Sequence, residues 1–214
     1  MRELPLPPPL PSETRPVGQL VAESIRFYAD RFSPAILLGL PVAVVAELNF
    51  DRGIVFQLAM YALAAPFMSA AFVFGCMLVL EPKADVRRQV FAWAVGTLIW
   101  LPVAPLLRFY VLPALVWLAF WGLAVPIVLV EGAGFVGSLR RAHRLARADF
   151  VHALGTLCTL VLLVHLTGQM MQVLLHSSGD ATQRTAAFLA PLVLSPMFYI
   201  GSAFLYRDQA ARAG

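Results

Sequence analysis

Apolar residues along this chain fall into long runs of membrane-crossing length. A bilayer core of about 30 Å needs roughly 20 apolar residues in a helix. Six such runs occur, at residues 33–48, 54–80, 90–107, 111–130, 151–175 and 185–206. The first run is short, whereas the second and the fifth are long enough to tilt or protrude. The pattern predicts an all-α, polytopic integral membrane bundle with six transmembrane helices.

Proline recurs inside these runs and predicts kinked helices. The prolines are Pro41, Pro66, Pro102, Pro105, Pro126, Pro191 and Pro196. In water, a proline in a helix interior would argue against the helix. In a membrane bundle, neighbouring helices and side chains satisfy the carbonyl groups that proline frees. Such kinks have two interpretations: they allow gating movements, or they only reflect irregular packing of the helices.

Basic residues divide unevenly between the segments that join the runs. The N-terminal segment, the second and fourth connections and the C-terminal segment together carry thirteen of the sixteen Lys and Arg residues. The remaining connections carry Arg52, Arg108 and Arg184. The positive-inside rule places the richer side, with both chain ends, in the cytoplasm. This distribution accounts for the pI near 9.5 without a nucleic-acid partner.

Composition supports the membrane assignment. Hydrophobic residues make up 60% of the chain and charged residues 13%, with a mean hydropathy of +0.77. Soluble domains contain about 45–50% apolar and about 25% charged residues. The two cysteines, Cys76 and Cys158, lie inside apolar runs and predict neither a disulfide nor a metal site.

The N-terminal residues 1–16 differ from the rest of the chain. Six of these sixteen residues are proline, which predicts a disordered, extended cytosolic tail. Residues 17–214 then form a single membrane domain.

Two segments are too polar to span a membrane and predict helices that lie in its interface. In residues 17–32, apolar positions cluster on one helical face and charged positions on another. In residues 134–147, one face collects Phe135, Leu139, Ala142, His143 and Ala146. The other side carries the candidate contacts to lipid phosphates, Arg140, Arg141, Arg144 and Arg147. We therefore expect membrane lipids as partners, anionic at the cytoplasmic face.

The sequence PIVLVEG, followed by GSLRRAHRLARADFVHALG, resembles a membrane-domain family of bacteria and archaea named after glycerophosphoryl diester phosphodiesterase. The family's glutamate and glycine fall on Glu131 and Gly132, and its leucine on Leu145. Ala142 replaces the usual serine. The start, RPVGQLVAESIRFYADRF, is similar to the family's entry helix. The resemblance implies a membrane module in the prokaryotic plasma (inner) membrane, without the catalytic barrel and without a firm activity.

Polar residues form a stripe along the fifth run. Its members fall within about 40° of His165 on a helix; they are Cys158, His165, Gln169, Gln172 and His176. The two histidines are separated by roughly 16 Å, too far for one metal ion. Lipid does not satisfy such groups, so the stripe faces protein or water. It is either a polar groove for a solute, a proton or a lipid headgroup, or a set of interhelical hydrogen bonds.

Isolated acidic residues have structural explanations. Glu131, the motif carboxylate, is placed to pair with Arg140 or Arg141 at the cytoplasmic end of the fourth run. Asp149 suits the N-cap of the fifth helix. No G-x-S-x-G nucleophile motif is present.

The leading hypothesis is a non-enzymatic scaffold, regulatory or lipid-interacting module without a cofactor or metal. This hypothesis is compatible with binding to a protein partner or to a second copy of the chain. The alternative is a small-solute or lipid transporter that uses the polar stripe. An intramembrane enzyme is the third hypothesis.

Overall fold

The computed structural model describes residues 11–12, 14–175, 177 and 179–213, without the side chains of residues 104, 105, 107–109 and 172. Every regular element in this part of the chain is helical. In chain order, the α-helices are α1 (Val17–Asp30), α2 (Phe32–Ala35), α3 (Leu40–Leu48), α4 (Ile54–Leu80), α5 (Val86–Phe109), α6 (Val111–Trp121), α7 (Ala124–Glu131), α8 (Phe135–Ala148), α9 (Phe150–Leu174) and α10 (Asp180–Arg212). The predicted all-α class is confirmed.

Four helical segments in the described part of the chain are long and apolar enough to cross a membrane. They are Ile54–Leu80, Val111–Glu131, Phe150–Met171 and Asp180–Arg212. The number rises to five when the bent pair Val17–Asp30 and Phe32–Leu48 is counted as one broken span. The six predicted spans are not confirmed. The third predicted run, 90–107, lies within the continuous helix α5.

The first predicted run is not one regular helix. After α1 the chain bends by 103°. It then forms α2, a single 3₁₀ turn at Ile36–Gly39, and α3. Pro41 has no N–H to give to the Leu37 carbonyl, which instead accepts from the N–H of Leu40. Residues 33–48 are therefore helical throughout, and the predicted kink at Pro41 takes the form of a 3₁₀ turn.

The predicted fourth and sixth helices have different bounds from those expected. The run 111–130 divides into α6 and α7, with a break at Gly122 and Leu123. α10 begins five residues before the predicted start at 185 and continues to Arg212, six residues beyond the predicted end at 206. Its additional C-terminal turns carry polar side chains that are buried in the protein.

α10 is the central helix of the bundle and packs against α1, α3, α4 and α9. Its Phe198 and Tyr199 meet Phe72 of α4 and Trp100 of α5, with ring centroids 5.8–6.2 Å apart. Aromatic pairs at such separations contribute beyond the area that they bury. A cavity of about 10 Å³ beside these rings has room for about one water molecule.

The contact between α4 and α5 depends on hydrogen bonds near a helix-interior proline. The indole N–H of Trp93 donates to the Pro66 carbonyl at 2.8 Å, and the Ser69 hydroxyl donates to the Trp93 carbonyl at 2.7 Å. Gly96 faces this hydroxyl, at a position where a Cβ would overlap it. Polar contacts between the two helices thus lie beside a proline.

Gly39 provides a test of the contact between the first predicted run and α10. A Cβ there would overlap the backbone carbonyl of Leu192, which cannot rotate away. Gly39→Ala is expected to destabilise the fold by about 1–3 kcal/mol through overpacking. Gly168→Ala in α9 is the matched control, because nothing lies within 4 Å of its Cβ position. Thermal unfolding in detergent checks this, and equal melting temperatures for the two variants would contradict it.

Candidate functional site: the basic end of the bundle

One end of the bundle collects most of the arginines, and we call it the basic end. Arg31 of the α1–α2 junction pairs with Glu81 at 3.2 Å, and Arg88 lies against Gly132. Arg212 donates to the Arg15 carbonyl at 2.7 Å, so the two described chain ends meet there.

The opposite end of the bundle carries the other exposed connections. There, Arg184 at the start of α10 lies over the ring of Phe50, 5.4 Å from its centroid. Arg52 lies over the ring of Phe56 in the same way, at 5.3 Å. The contacts thus separate these two arginines from the basic end, as the alternation of connections predicts.

The Glu131–Gly132 pair ends α7 and directs the chain into α8. Gly132 has φ +68°, in the left-handed region that favours glycine, and its N–H donates to the Val128 carbonyl. A Cβ on Gly132 would also approach the guanidinium of Arg88 to 3.1 Å. Backbone conformation and close contact therefore both account for this glycine of the predicted motif.

Glu131 binds two partners on different helices. Its Oε1 lies 3.4 Å from Nε of Arg141 and accepts a hydrogen bond from the Tyr206 hydroxyl at 3.2 Å. The prediction that Glu131 pairs with Arg140 or Arg141 is thus resolved in favour of Arg141. These contacts hold α8 against the C-terminal part of α10.

The other three arginines of α8 differ from Arg141. Arg140, Arg144 and Arg147 are exposed, and none forms an ion pair with a residue that the structure describes. Arg140 and Arg144 are one helical turn apart and line an open groove. The residues that line it are Trp121, Leu139, Arg140, His143 and Arg144.

Stacked rings fix the wall of this groove. The His143 ring stacks on Phe120, with centroids 5.1 Å apart and planes inclined by 25°. Phe120 also stacks on Phe150, the first residue of α9, at 5.1 Å and 23°. Trp121 packs against Trp117 with a centroid separation of 4.3 Å. The groove therefore lies where α6, α8 and α9 meet.

The predicted apolar face of α8 is mostly used for packing on the protein. Ala142 and Ala146 are fully buried, together with Ser138 and Leu145. Leu139 and His143 are half-buried at the groove, and Phe135 is exposed. The prediction that residues 134–147 lie in the membrane interface with their apolar face therefore applies only to the part of that face that is not buried in the bundle.

α1 presents three faces. Leu20, Ser24 and Tyr28 are buried against the bundle. A second face is apolar but exposed, and consists of Gly18, Ala22, Ile25 and Ala29. The third carries charged side chains, including Arg26 and Asp30. An exposed apolar face beside a charged one is typical of a helix in a membrane interface.

A buried ion pair joins the N-terminal segment to the end of α10. Nη1 of Arg15 lies 3.0 Å from Oδ1 of Asp208 and 3.2 Å from Oε2 of Glu23. The Asp208 side chain is 0% exposed and that of Arg15 is 8% exposed. His152 of α9 approaches the second carboxylate oxygen, Oδ2, with Nε2 at 3.6 Å. Two helices and the N-terminal segment therefore converge on one carboxylate.

A second set of contacts completes this network. Asp149 caps α9 by accepting from the His152 N–H at 3.0 Å, which confirms its predicted N-cap role. The same carboxylate pairs with Arg212 at 2.5 Å, and the Gln209 amide donates to the Asp149 carbonyl at 3.0 Å. The loop between α8 and α9 is thereby fixed to the last turns of α10.

The predicted polar stripe lies on an exposed part of α9. His165 and Gln169 are both exposed, and the Gln169 amide nitrogen lies 3.5 Å from Nε2 of His165. His176 and the side chain of Gln172 fall outside the described residues. Only 28% of the apolar stretch of α9 is buried, against 56–67% in the other three candidate spans. In the described structure, His165 and Gln169 therefore face away from the bundle core, whereas Cys158 of the same stripe is partly buried against it.

Sequence reasoning missed the centre of the network. Arg15 was expected in a disordered tail and Asp208 beyond the last span, yet both are buried. Their partner His152 was counted only as part of the fifth run. The sequence does contain a signal for this pair: Asp208 lies within one turn of the end of the sixth predicted run, and Arg15 lies just before the first surface helix.

Metal binding receives no support from the described side chains. Within that part of the chain, no three His, Cys, Asp or Glu residues lie close enough together to hold an ion. Cys76 and Cys158 are both free thiols. Glu131, Asp149 and Asp208 at the basic end are engaged with arginines instead.

Asp208→Asn should show that the network holds the chain ends. The substitution removes the buried carboxylate that faces both Arg15 and His152, and leaves Glu23 as the acidic partner of Arg15. A loss of about 2 kcal/mol is expected, less than for a buried charge left with no partner. Asp30→Asn on the exposed face of α1 removes the same charge and should change stability by less than about 0.5 kcal/mol. Thermal unfolding of both variants in detergent is the measurement. A small effect at Asp208 would refute the structural importance of the pair.

Comparison with known protein families, with curated proteins and with solved structures finds no match to this chain. The resemblance to the phosphodiesterase-associated membrane domain therefore continues to rest on the residues themselves. Those residues form the end of α7, the Gly132 turn and α8.

Proposed function

We propose that this chain is a non-enzymatic module of the prokaryotic plasma membrane that binds anionic lipid at its cytoplasmic surface and thereby positions or regulates a protein partner. In this proposal the bundle crosses the membrane six times, and the basic end faces the cytoplasm. The resemblance of residues 126–155 to the phosphodiesterase-associated membrane domain supports a membrane module.

The observation that carries this proposal is the division of the arginines into paired and unpaired groups. Arg15, Arg31, Arg141 and Arg212 hold helices together through carboxylates. Arg140, Arg144 and Arg147 lie together on one exposed face of α8, without such partners in the described part of the chain. A cluster of cationic side chains beside apolar surface is suited to lipid phosphates.

The two surface helices support the same interpretation. α1 is bent by 103° relative to the segment that follows it and exposes an apolar face. α8 exposes Phe135 and Val136 next to its free arginines. Helices that pack on the bundle and still expose apolar residues beside charges are suited to the boundary between headgroups and acyl chains.

The transporter alternative gains less support. A transport site requires a polar pathway between helices, whereas His165 and Gln169 lie on the outside of α9. Their mutual contact satisfies part of their hydrogen-bonding capacity within one helix. Solute uptake into proteoliposomes that depends on His165 would revive this hypothesis.

The six-span topology is tested at the turn between α5 and α6. Tyr110→Cys, in a Cys76→Ala/Cys158→Ala background, should react with a membrane-impermeant maleimide from the extracytoplasmic side. Lys83→Cys should react only from the cytoplasmic side, and Ser177→Cys only from outside. These sides are expected because successive connections lie on alternate sides of the membrane in the six-span topology. A Tyr110→Cys variant that is unreactive from outside, with reactive controls, would show that the α5–α6 hairpin does not cross.

Lipid preference is tested by neutralising the unpaired arginines. Arg140→Gln/Arg144→Gln/Arg147→Gln should reduce the enrichment of anionic phospholipid around the protein, because each basic residue near the surface contributes about 1 kcal/mol. Arg52→Gln/Arg184→Gln at the opposite end is the control. The measurement is the lipid composition of polymer-bounded nanodiscs extracted from cells. Unchanged enrichment in the triple variant would sink the proposal.

A further inference from the structure

The groove between α6 and α8 combines two kinds of surface. Arg140 and Arg144 of α8 supply two guanidinium groups, while Leu139 of α8 and Trp121 of α6 supply an aliphatic chain and an indole. The lining contains no acidic residue. Its charge and its apolar surface are therefore complementary to a molecule with an anionic head and an apolar body.

We propose that this groove is a stoichiometric site for a single anionic glycerophospholipid, whose phosphate lies between Arg140 and Arg144 and whose acyl region lies along Trp121 and Leu139. The inference rests on the proposed function and makes it more specific. The proposed function requires only a basic surface that attracts anionic lipids, whereas this inference places one lipid molecule in one groove.

The spacing of the two arginines suits one phosphate. Residues four apart on a helix lie on the same side, one turn of about 5.4 Å from each other. Each guanidinium presents a planar set of N–H donors, which binds phosphate oxygens in pairs. Arg141 does not join them, because Glu131 holds its guanidinium on another side of α8.

The wall of the site is preorganised. His143 is fixed by stacking on Phe120, which stacks in turn on Phe150 of α9. Trp121 is held by Trp117. A site whose rings are already in place loses less side-chain entropy on binding than a free surface does.

A lipid source of the phosphate is favoured over a free anion. Val136 lies one helical turn before Arg140 and is 56% exposed, so the apolar surface continues along α8 away from the arginines. Free inorganic phosphate would leave this surface and the face of Trp121 in contact with water. Zwitterionic lipids are disfavoured, because the groove has no carboxylate for their ammonium group.

Native mass spectrometry of the full chain, released from detergent, tests the site. Titration with palmitoyl-oleoyl phosphatidylglycerol should give one retained lipid per chain at concentrations where phosphatidylcholine gives none. Arg140→Gln/Arg144→Gln should weaken this binding by about tenfold or more. Arg26→Gln/Arg87→Gln removes two exposed charges from the same end but outside the groove and outside the α8 cluster, and should bind nearly as the parent chain does.

A second variant distinguishes the effect of the planar guanidinium donors from the effect of the positive charge. Arg140→Lys/Arg144→Lys keeps both charges but loses the planar donors, and should bind with intermediate affinity. Equal melting temperatures of all variants in detergent establish that they fold.

Three outcomes would overturn the site: equal losses in both glutamine variants, equal retention of phosphatidylcholine, or complete displacement of the lipid by millimolar inorganic phosphate. If no lipid is retained while nanodiscs still show enrichment that depends on the arginines, this inference fails and the proposed function stands. If that enrichment is also absent, both fail.

Discussion

The carboxylate of Asp208 is buried near the C-terminal end of α10, between the guanidinium of Arg15 and the imidazole of His152. Removing a carboxylate from water costs several kcal/mol unless opposite charge and hydrogen bonds accompany it. The N-terminal segment and the first turn of α9 must therefore lie where α10 ends. Since α10 also packs against α3 and α4, this one requirement relates both ends of the chain to the centre of the bundle.

The positions of the surface helices follow from this arrangement. α1 buries Leu20, Ser24 and Tyr28 against the bundle, which leaves its other apolar face exposed. α8 is fixed at its beginning by the Gly132 turn and Glu131, and at its end by Asp149, which binds Arg212. Both surface helices are therefore fixed by polar contacts at the basic end, and their remaining surfaces are free to meet lipid or a partner.

Much of the fold was predictable because apolar runs and basic residues follow simple physical rules. The apolar runs correctly located α4 and α9. The short acidic side chain of Asp149, just before the fifth run, was correctly assigned as an N-cap. The break at Gly122 agrees with the kink predicted at Pro126, which has no N–H to give to the carbonyl four residues earlier, although hydropathy alone does not show it. The burial of Arg15 was missed, because it depends on a residue 193 positions later in the chain. The candidate site was predicted in part: the four arginines of α8 look alike in sequence, and only the position of Glu131 distinguishes Arg141 from the others.

This distinction bears on how the module acts. In the proposed topology, an arginine follows the positive-inside rule if it lies on the cytoplasmic side, and Arg141 does so while it also forms a structural ion pair with Glu131. Arg140 and Arg144 carry the same charge but remain available beside the ordered rings of α6. α8 leads from this groove to Asp149, and so to Arg212. A lipid held in the groove would therefore stabilise the arrangement in which both chain ends meet, which favours a positioning role over a transport cycle.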